Sequence, residues 1–350
     1  MINRRKSKQI QIRDVKIGGD APVVVQSMCN TDTRDVKATL RQIDELADAG
    51  CEVIRLAVLN MDAASAIKEI VKKSKIPVVA DIHFNHKLAI ECINNGVDSL
   101  RLNPGNIGKY ENIKQVVGLA KQQKIPIRIG INAGSLEKEF EHEDITLAEK
   151  MVKSAMKHVK ILEDLDFDMI KISLKSSDVL TTIDAYRLIA KQVEYPLHLG
   201  VTEAGTLKAG LVKSSVGLGT LLCDGIGDTI RVSLTENPIE EVWAGFQILK
   251  SLNIRQRGVN FVSCPTCGRT QIDLISLAKQ VEERFKNLDK PITIATMGCP
   301  VNGPGEAKHA DFGVAGAINE GYIFKKGEIV ARVPENELLD KLEEIINNSI

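Results

Sequence analysis

Three cysteines towards the C-terminus carry the most specific chemical signal in the chain. Cys264-Pro-Thr-Cys267-Gly has the form of a metal knuckle: the C-x-x-C spacing lets two thiolates reach one centre, and the glycine relieves the backbone beside them. A zinc ribbon requires a second C-x-x-C, and none follows. A single Cys299 stands instead in the segment 297–306 (MGCPVNGPGE), whose three glycines and two prolines make a tight loop exposing several backbone N–H groups. Three thiolates suit three irons of a 4Fe–4S cluster and leave the fourth iron to a weaker ligand. Glu306, seven residues after Cys299, is the nearest acid able to serve. Zinc on three thiolates plus a carboxylate or water stays open on this chemistry alone. Cys29, Cys51, Cys92 and Cys223 show no ligand spacing; burial is the expectation for them, and only Cys29 falls at the end of a strand candidate near the mouth discussed next.

A second set of reactive residues is spread over the first two thirds of the chain, and the elements that must position them can be read from periodicity. Apolar, β-branched runs recur at 22–28, 52–58, 76–82, 97–102, 125–131, 169–174, 196–201 and 229–234, with helical spacing between many of them, as at 35–49, 62–73, 111–123 and 146–164. Eight such units in about 250 residues favour an α/β fold of the (β/α)8 TIM-barrel type over an open doubly wound sheet. The Gly-x-Gly-x-x-Gly turn of a dinucleotide fold is missing. Apolar residues on both faces of most strands suit helices outside and a filled interior.

In a barrel, chemistry belongs at the C-terminal strand ends. At or near those ends fall Arg55, Asp81 with His83, Arg101 with Asn103, Arg128 with Asn132, Lys171, His198 with Glu203, and Arg231 with Ser233. For any single arginine, a salt bridge to a loop carboxylate is the better reading. Five cations at one mouth, with only Asp81 and Glu203 beside them, point instead to a multiply charged anion, because burying an unpaired charge costs several kcal/mol. A diphosphate suits: each charge pair near 4 Å is worth about 4 kcal/mol at an effective dielectric of about 20. Arginine forks would hold its oxygens bidentately. Glu203 is the candidate proton donor or acceptor, while His83 and His198 are ambiguous and the protonation state of His198 is open. The glycine-rich stretch 216–227 is a weak candidate for a phosphate loop.

Residues 238–252 read as the last barrel helix, with Pro238 in a permitted first-turn position. The expected organisation is a barrel over 1–252, a linker over 253–258 and a small α/β domain over 259–350. In that domain, strands are expected at 259–263, 291–296, 311–316 and 328–333, and helices at 273–286 and 335–347. The last helix carries Leu338, Leu339, Leu342, Ile345 and Ile346 as one packing stripe.

Composition narrows the function classes. The 350 residues hold 46 basic and 46 acidic side chains, a zero formal charge that argues against a nucleic-acid or anionic-membrane binder. With 8 Phe, 4 Tyr and 1 Trp, base-stacking surfaces are not expected either. Arg4-Arg5 is followed by no apolar stretch of signal-peptide length, and no segment approaches the roughly 20 apolar residues of a membrane span, so a cytoplasmic protein is expected. An odd count of seven cysteines fits that compartment, where thiols stay reduced.

QSMCNTDT (26–33), ADIHF (80–84), RLNPGNIG (101–108), GVTEAG (200–205), LLCDGIGDTIRVSL (221–234), SCPTCGR (263–269) and MGCPVNGPGEA (297–307) together resemble the bacterial 4-hydroxy-3-methylbut-2-en-1-yl diphosphate synthases of the methylerythritol phosphate route to isoprenoids. The resemblance runs across nearly the whole chain. It implies a TIM barrel followed by a small iron–sulfur domain similar to that of sulfite and nitrite reductases. A sirohaem-type sulfite reductase shares the Gly-Cys-Pro loop but uses four cysteine ligands, and this domain offers three. Carried over by motif, a 4Fe–4S cluster would sit on Cys264, Cys267, Cys299 and Glu306. The implied reaction is the two-electron reductive ring opening and dehydration of 2-C-methyl-D-erythritol 2,4-cyclodiphosphate, with flavodoxin or ferredoxin as electron donor. The cationic strand ends would hold the diphosphate, and Glu203 would supply a proton as water leaves. One departure is visible: Cys29 stands where the family is expected to carry threonine.

The linker has a geometric consequence. A helix after the eighth strand runs back towards the bottom of the barrel, and 238–252 covers about 22 Å at 1.5 Å per residue. A six-residue linker spans at most about 20 Å. A cluster domain is thus poorly placed to meet its own mouth, and a head-to-tail homodimer sharing each active site between chains is expected, as the resemblance also implies.

Overall fold

Eight parallel strands form a ring in the first part of the chain. Two short strands precede it as an antiparallel hairpin, β1 (Ile10–Ile12) and β2 (Val15–Ile17). The ring itself comprises β3 (Val24–Met28), β4 (Val53–Val58), β5 (Val78–Ile82), β6 (Ser99–Arg101), β7 (Ile127–Asn132), β8 (Ile170–Lys175), β9 (His198–Leu199) and β10 (Thr229–Ile230). They pair in the order β8-β7-β6-β5-β4-β3-β10-β9, and a bridge from Ile172 to Leu197 brings the last strand back to β8. That seam is thin. The hydroxyl of Tyr186 reinforces it, accepting from the Leu174 amide at 3.1 Å and donating to the His198 carbonyl.

The structure, a computed structural model, describes residues 2–140, 143–300 and 307–350. The chain divides into two compact units, Met1–Arg255 and Gln256–Ile350. In the first, α1 (Val36–Asp48), α2 (Met61–Lys73), α3 (His86–Asn94), α4 (Tyr110–Gln122), α5 (Leu147–Glu163), α6 (Val179–Ile189), α7 (Leu207–Cys223) and α8 (Pro238–Ser251) follow the barrel strands in turn. Local chemistry starts several of them: Asp35, Asn60, Asn85 and Asp178 each accept an amide at their helix N-terminus. Thr146 and Glu149 form a capping box on α5. The glycine-rich stretch 216–227 is a correction, since its first eight residues are the end of α7 and not a phosphate loop. Gly217 serves close packing there: a Cβ would lie 2.9 Å from a Val201 methyl.

The main core lies between strands and helices and is built from Ile, Val, Leu and Ala. Inside the barrel the bottom is closed by the hairpin, whose Ile10, Ile12 and Ile17 pack on Val24, Val53 and Val79. The Arg4-Arg5 pair has a structural use at this end. Arg4 bonds to the Ala21 carbonyl and Asp228, and Arg5 to the carbonyls of Val193 and Tyr195. Arg255, the last residue of the unit, is pinned to the same face, donating to the Val23 carbonyl at 2.8 Å and to Glu52 at 2.7 Å. The chain therefore leaves the barrel at the N-terminal ends of its strands.

The second unit is a mixed five-stranded sheet, β11 (Asn260–Ser263), β12 (Thr293–Met297), β13 (Phe312–Ala317), β14 (Glu320–Lys325) and β15 (Glu328–Pro334), in that order, parallel in its first two pairings and antiparallel in its last two. Sequence periodicity missed β14, the middle of two hairpins. On one face, α9 (Leu274–Phe285) and α10 (Leu338–Asn347) bury Leu277, Val281, Leu338, Leu342 and Ile346 against Ile294, Phe312, Val314 and Ile323. The other face carries Ala295, Met297, Ala310, Ala315 and Phe324, with Cys264 packed on it. Among the described residues, no helix is long and apolar enough to cross a membrane.

Candidate active site

The barrel interior above the hairpin is polar, because strand alternation turns the apolar residues outward to the helices and leaves charged ones facing inward. Asp81, Arg101, Arg128 and Lys171 are register partners on β5, β6, β7 and β8 and form a continuous charged row. Asp81 is the hub. Its carboxylate lies 3.2 Å from Arg101 Nη1, 3.6 Å from Arg55 Nε and 3.4 Å from His83 Nε2. Burial pushes its pKa up, but Arg55, His83, Arg101 and Arg128 outweigh this and hold it well below the usual carboxylate range. Arg101 also donates to the Gly130 carbonyl at 2.7 Å, while Asn103 Oδ1 accepts the Gly130 amide at 2.9 Å.

Arg128 differs from the other arginines. It is 1% exposed, and its three guanidinium nitrogens have no hydrogen-bond partner among the described residues. Lys171 Nζ, His198 Nε2 and the amide of Gln26 are likewise buried without a partner among those residues. Burial first, and then the charges of Arg55 and Arg101, lower the pKa of Arg128. Burial and the charge of Arg128 lower Lys171 to about 7. His198 is pushed well below its ordinary value by burial and by Arg128, Lys175, Lys171 and Arg55, so the imidazole is neutral. Its Nδ1 meets Thr229 Oγ1 at 2.8 Å.

Arg128 and Lys171 are not at the rim: each is the second residue of its strand, and the side chain rises from inside the barrel. Arg231 is no unpaired cation. Glu241 of α8 accepts from its Nε at 3.3 Å and Nη2 at 3.2 Å, and also holds Ser27 and the Leu234 amide. The carboxylates facing the cations are therefore Asp81 and Glu241. Glu203 is solvent-exposed on the loop after β9, with a left-handed φ of +53° that a glutamate rarely adopts. Asn132 ends β7, and Ser233 lies three residues beyond β10, both half-buried. Cys29 faces the helix layer, where burial and Cys51 push its thiol to about 12. Its neighbour Met28 turns inward, its sulfur 2.9 Å from Arg55 Nη2. Cys51 and Cys92 are buried as expected, but Cys223 is exposed at the end of α7. Lys175 went unrecognised. It lies four residues after Lys171, which on a strand of period two places it on the same inward face, and it is 6% exposed. Burial and the charges of Arg128, Arg55, Arg231 and Arg101 lower its pKa strongly.

In the second unit, Cys264 follows β11 and Cys299 follows β12, two parallel neighbours, so both thiols emerge at the same sheet end. The Gly298 amide donates to Cys264 Sγ at 3.2 Å, and the Gln271 amide to the Gly298 carbonyl at 2.9 Å, joining the two loops. Cys264 is half-buried, Cys267 exposed and Cys299 buried, and none is in a disulfide. Hydrogen bonds from Arg269, and next from Thr270, lower the Cys267 thiol pKa. Glu306 lies outside the described residues. Among those residues, no three His, Cys, Asp or Glu side chains are gathered closely enough to hold a metal ion.

A family model described as the GcpE TIM-barrel domain matches residues 7–246, and a second, the GcpE protein C-terminal domain, matches 260–348. The chain belongs to the GcpE family. It is 59% identical over 342 residues to a Dehalococcoides mccartyi protein named 4-hydroxy-3-methylbut-2-en-1-yl diphosphate synthase (flavodoxin), covering 98% of each. A Clostridium acetobutylicum protein of the same name is 56% identical over 348 residues, 99% of this chain and 100% of the relative. A solved dihydropteroate synthase from Coxiella burnetii aligns with 71% of this GcpE chain and 100% of its own, at a TM-score of 0.51 and 12% identity, a likeness of fold alone.

Proposed function

We infer that this GcpE chain is a 4-hydroxy-3-methylbut-2-en-1-yl diphosphate synthase that opens and dehydrates 2-C-methyl-D-erythritol 2,4-cyclodiphosphate with two electrons. The observation that carries the substrate assignment is Arg128, a fully buried guanidinium with no partner among the described residues, beside Lys171 in the same state. Both are donors directed at an anion. Arg55 and Arg101 share Asp81 between them, which fixes their forks and leaves excess positive charge for the diphosphate. Lys175 stands four residues beyond Lys171 on β8, level with Asn132, and these two, with Asn103, Arg231 and Ser233, would bind diphosphate and hydroxyl oxygens. Neutral His198 serves as a hydrogen-bonding group at the base, with His83 at the edge. Glu203, held on its strained turn at the mouth, gives the proton that leaves with the substrate oxygen as water.

The cofactor we propose is a 4Fe–4S cluster held by Cys264, Cys267, Cys299 and Glu306. The donor set fits it: three free thiols, on loops joined through an amide aimed at Cys264 Sγ, beside a face of small alanines. When bound, the cluster supplies the electrons one at a time. We further propose that reduced flavodoxin delivers them, that the enzyme is cytoplasmic, and that the cluster domain serves the mouth of a second copy in a head-to-tail dimer. The anchoring of Arg255 at the face opposite the mouth supports the last point. Iron and acid-labile sulfide analysis of anaerobically purified protein tests the cofactor. About four of each per chain are expected, and a colourless protein with one zinc would overturn it. Mixing Cys264→Ala chains with Glu203→Ala chains tests the sharing. Each is expected to be inactive alone and the mixture to recover activity in the heterodimer; no recovery contradicts a shared site.

A further inference from the structure

Helix α5 reaches the barrel mouth through one imidazole that the reaction itself does not use. His158 is fully buried. Its Nδ1 accepts the Gly105 amide at 3.0 Å, and its Nε2 stands 2.8 Å from Glu137 Oε1, in ion-pair contact but off the line of a hydrogen bond. The other oxygen of Glu137 accepts the Ser154 hydroxyl, again from α5, at 2.7 Å. Although burial pushes its pKa up, the close approach of His158 and the hydrogen bond of Ser154 bring the Glu137 carboxyl down to about 2, so it is ionised at neutral pH.

The partners dictate the tautomer. A backbone amide can only donate, so Nδ1 is the bare nitrogen and the ring proton sits on Nε2, facing Glu137. Space enforces the same contact: a Cβ on Gly105 would lie 2.5 Å from His158 Cε1. Gly105 belongs to the turn that follows Asn103, and Glu137 to the segment that follows Asn132 of β7. One side chain therefore ties the loops after two adjacent strands to one helix. The turn after β6 is the continuation of Arg101 and Asn103, which are joined through Gly130 to β7.

We propose that His158 is a positioning residue for the diphosphate grip: anchored by Glu137, it holds the 103–108 turn in place and with it the poses of Arg101 and Asn103. The inference rests on the barrel being the cyclic diphosphate site. Two isosteric variants separate positioning from mere filling. Asparagine puts its amide oxygen near the place of Nδ1 and can still accept from Gly105. Glutamine puts its amide nitrogen near the place of Nε2 and keeps only the Glu137 contact.

The test is calorimetric titration of 2-C-methyl-D-erythritol 2,4-cyclodiphosphate into wild type, His158→Asn and His158→Gln, with the Tm of each. The Asn variant is expected to bind within about threefold of wild type and the Gln variant about tenfold or more weaker, the scale seen when a supporting partner of a site is removed. Equal binding by both variants, whether intact or weakened, would overturn the proposal. Gly105→Ala pushes the turn off the same buried ring, so it should lower the Tm and weaken binding at least as much as the Gln variant, and unaltered binding counts against the proposal. Wild type that fails to bind would overturn the diphosphate reading and this inference with it. Tight wild-type binding with an unaffected Gln variant overturns the inference alone.

Discussion

Arg128 and Lys171 concentrate the cost of this site in two side chains. A buried guanidinium without a partner works against folding, since its desolvation is not repaid until an anion arrives. Arg128→Met should therefore raise the Tm of the ligand-free chain while weakening cyclic diphosphate binding by about 10- to 100-fold, the worth of charge-assisted hydrogen bonds. A lower Tm, or unchanged affinity, would count against the assignment. Lys171 makes a prediction about protons. Its folded pKa of about 7 lies below its usual 10.5, so between those values the unfolded chain holds a proton that the folded chain lacks. Its contribution therefore makes stability rise with pH across that window. A bound anion restores the proton, so binding at pH 8 should take one up, and affinity should fall as pH rises above 7. Titrations in two buffers of different ionisation heat read this directly; identical heats would contradict it. These residues were visible in the sequence as polar letters inside apolar strands. Their partners were not: Glu241 looked like any acid at a helix start, and nothing in the strand pattern said that it would hold Arg231 while Arg128 went without.

At the scale of elements, the barrel has one weak joint. Between β8 and β9 the ladder is reduced to the Ile172–Leu197 bridge, and the Tyr186 hydroxyl supplies bonds to both strands. Tyr186→Phe keeps the ring and removes only those bonds, leaving the Leu174 amide without its Tyr186 acceptor. It should destabilise by about 1–3 kcal/mol in urea unfolding, because a buried polar group left unsatisfied costs that much. It should also loosen His198, whose carbonyl it released, and raise the KM. A neutral result would mean that the seam is held elsewhere. The strand centres could be read from β-branched runs because burial on the helix side demands them. The shortness of β9 and β10 could not, since closure of the ring and not local propensity decides how many residues pair. Helix α7 escaped notice for a related reason: its glycines and serines blur a helical pattern that packing against α6 and α8 enforces.

For the whole molecule, zero net charge conceals a division of labour. The barrel gathers Arg55, Arg101, Arg128, Lys171 and Lys175 around two carboxylates, and the second unit presents three reduced thiols at one sheet end. Each part was legible in the sequence as a motif. The exit of the chain at the barrel's lower face followed from the direction of the last helix, whereas the depth of Arg128 and Lys171 came from tertiary structure. If these two parts together reduce a cyclic diphosphate, 31P NMR will follow the conversion. Anaerobic, cluster-loaded protein is mixed with 2-C-methyl-D-erythritol 2,4-cyclodiphosphate and reduced flavodoxin. The cyclic diphosphate resonances are expected to give way to those of a linear allylic diphosphate, at a rate that falls about 100-fold or more in Glu203→Gln, from the lower end of the range for a positioned proton donor upward. Persistence of the cyclic resonances with a fully loaded wild-type protein would contradict it.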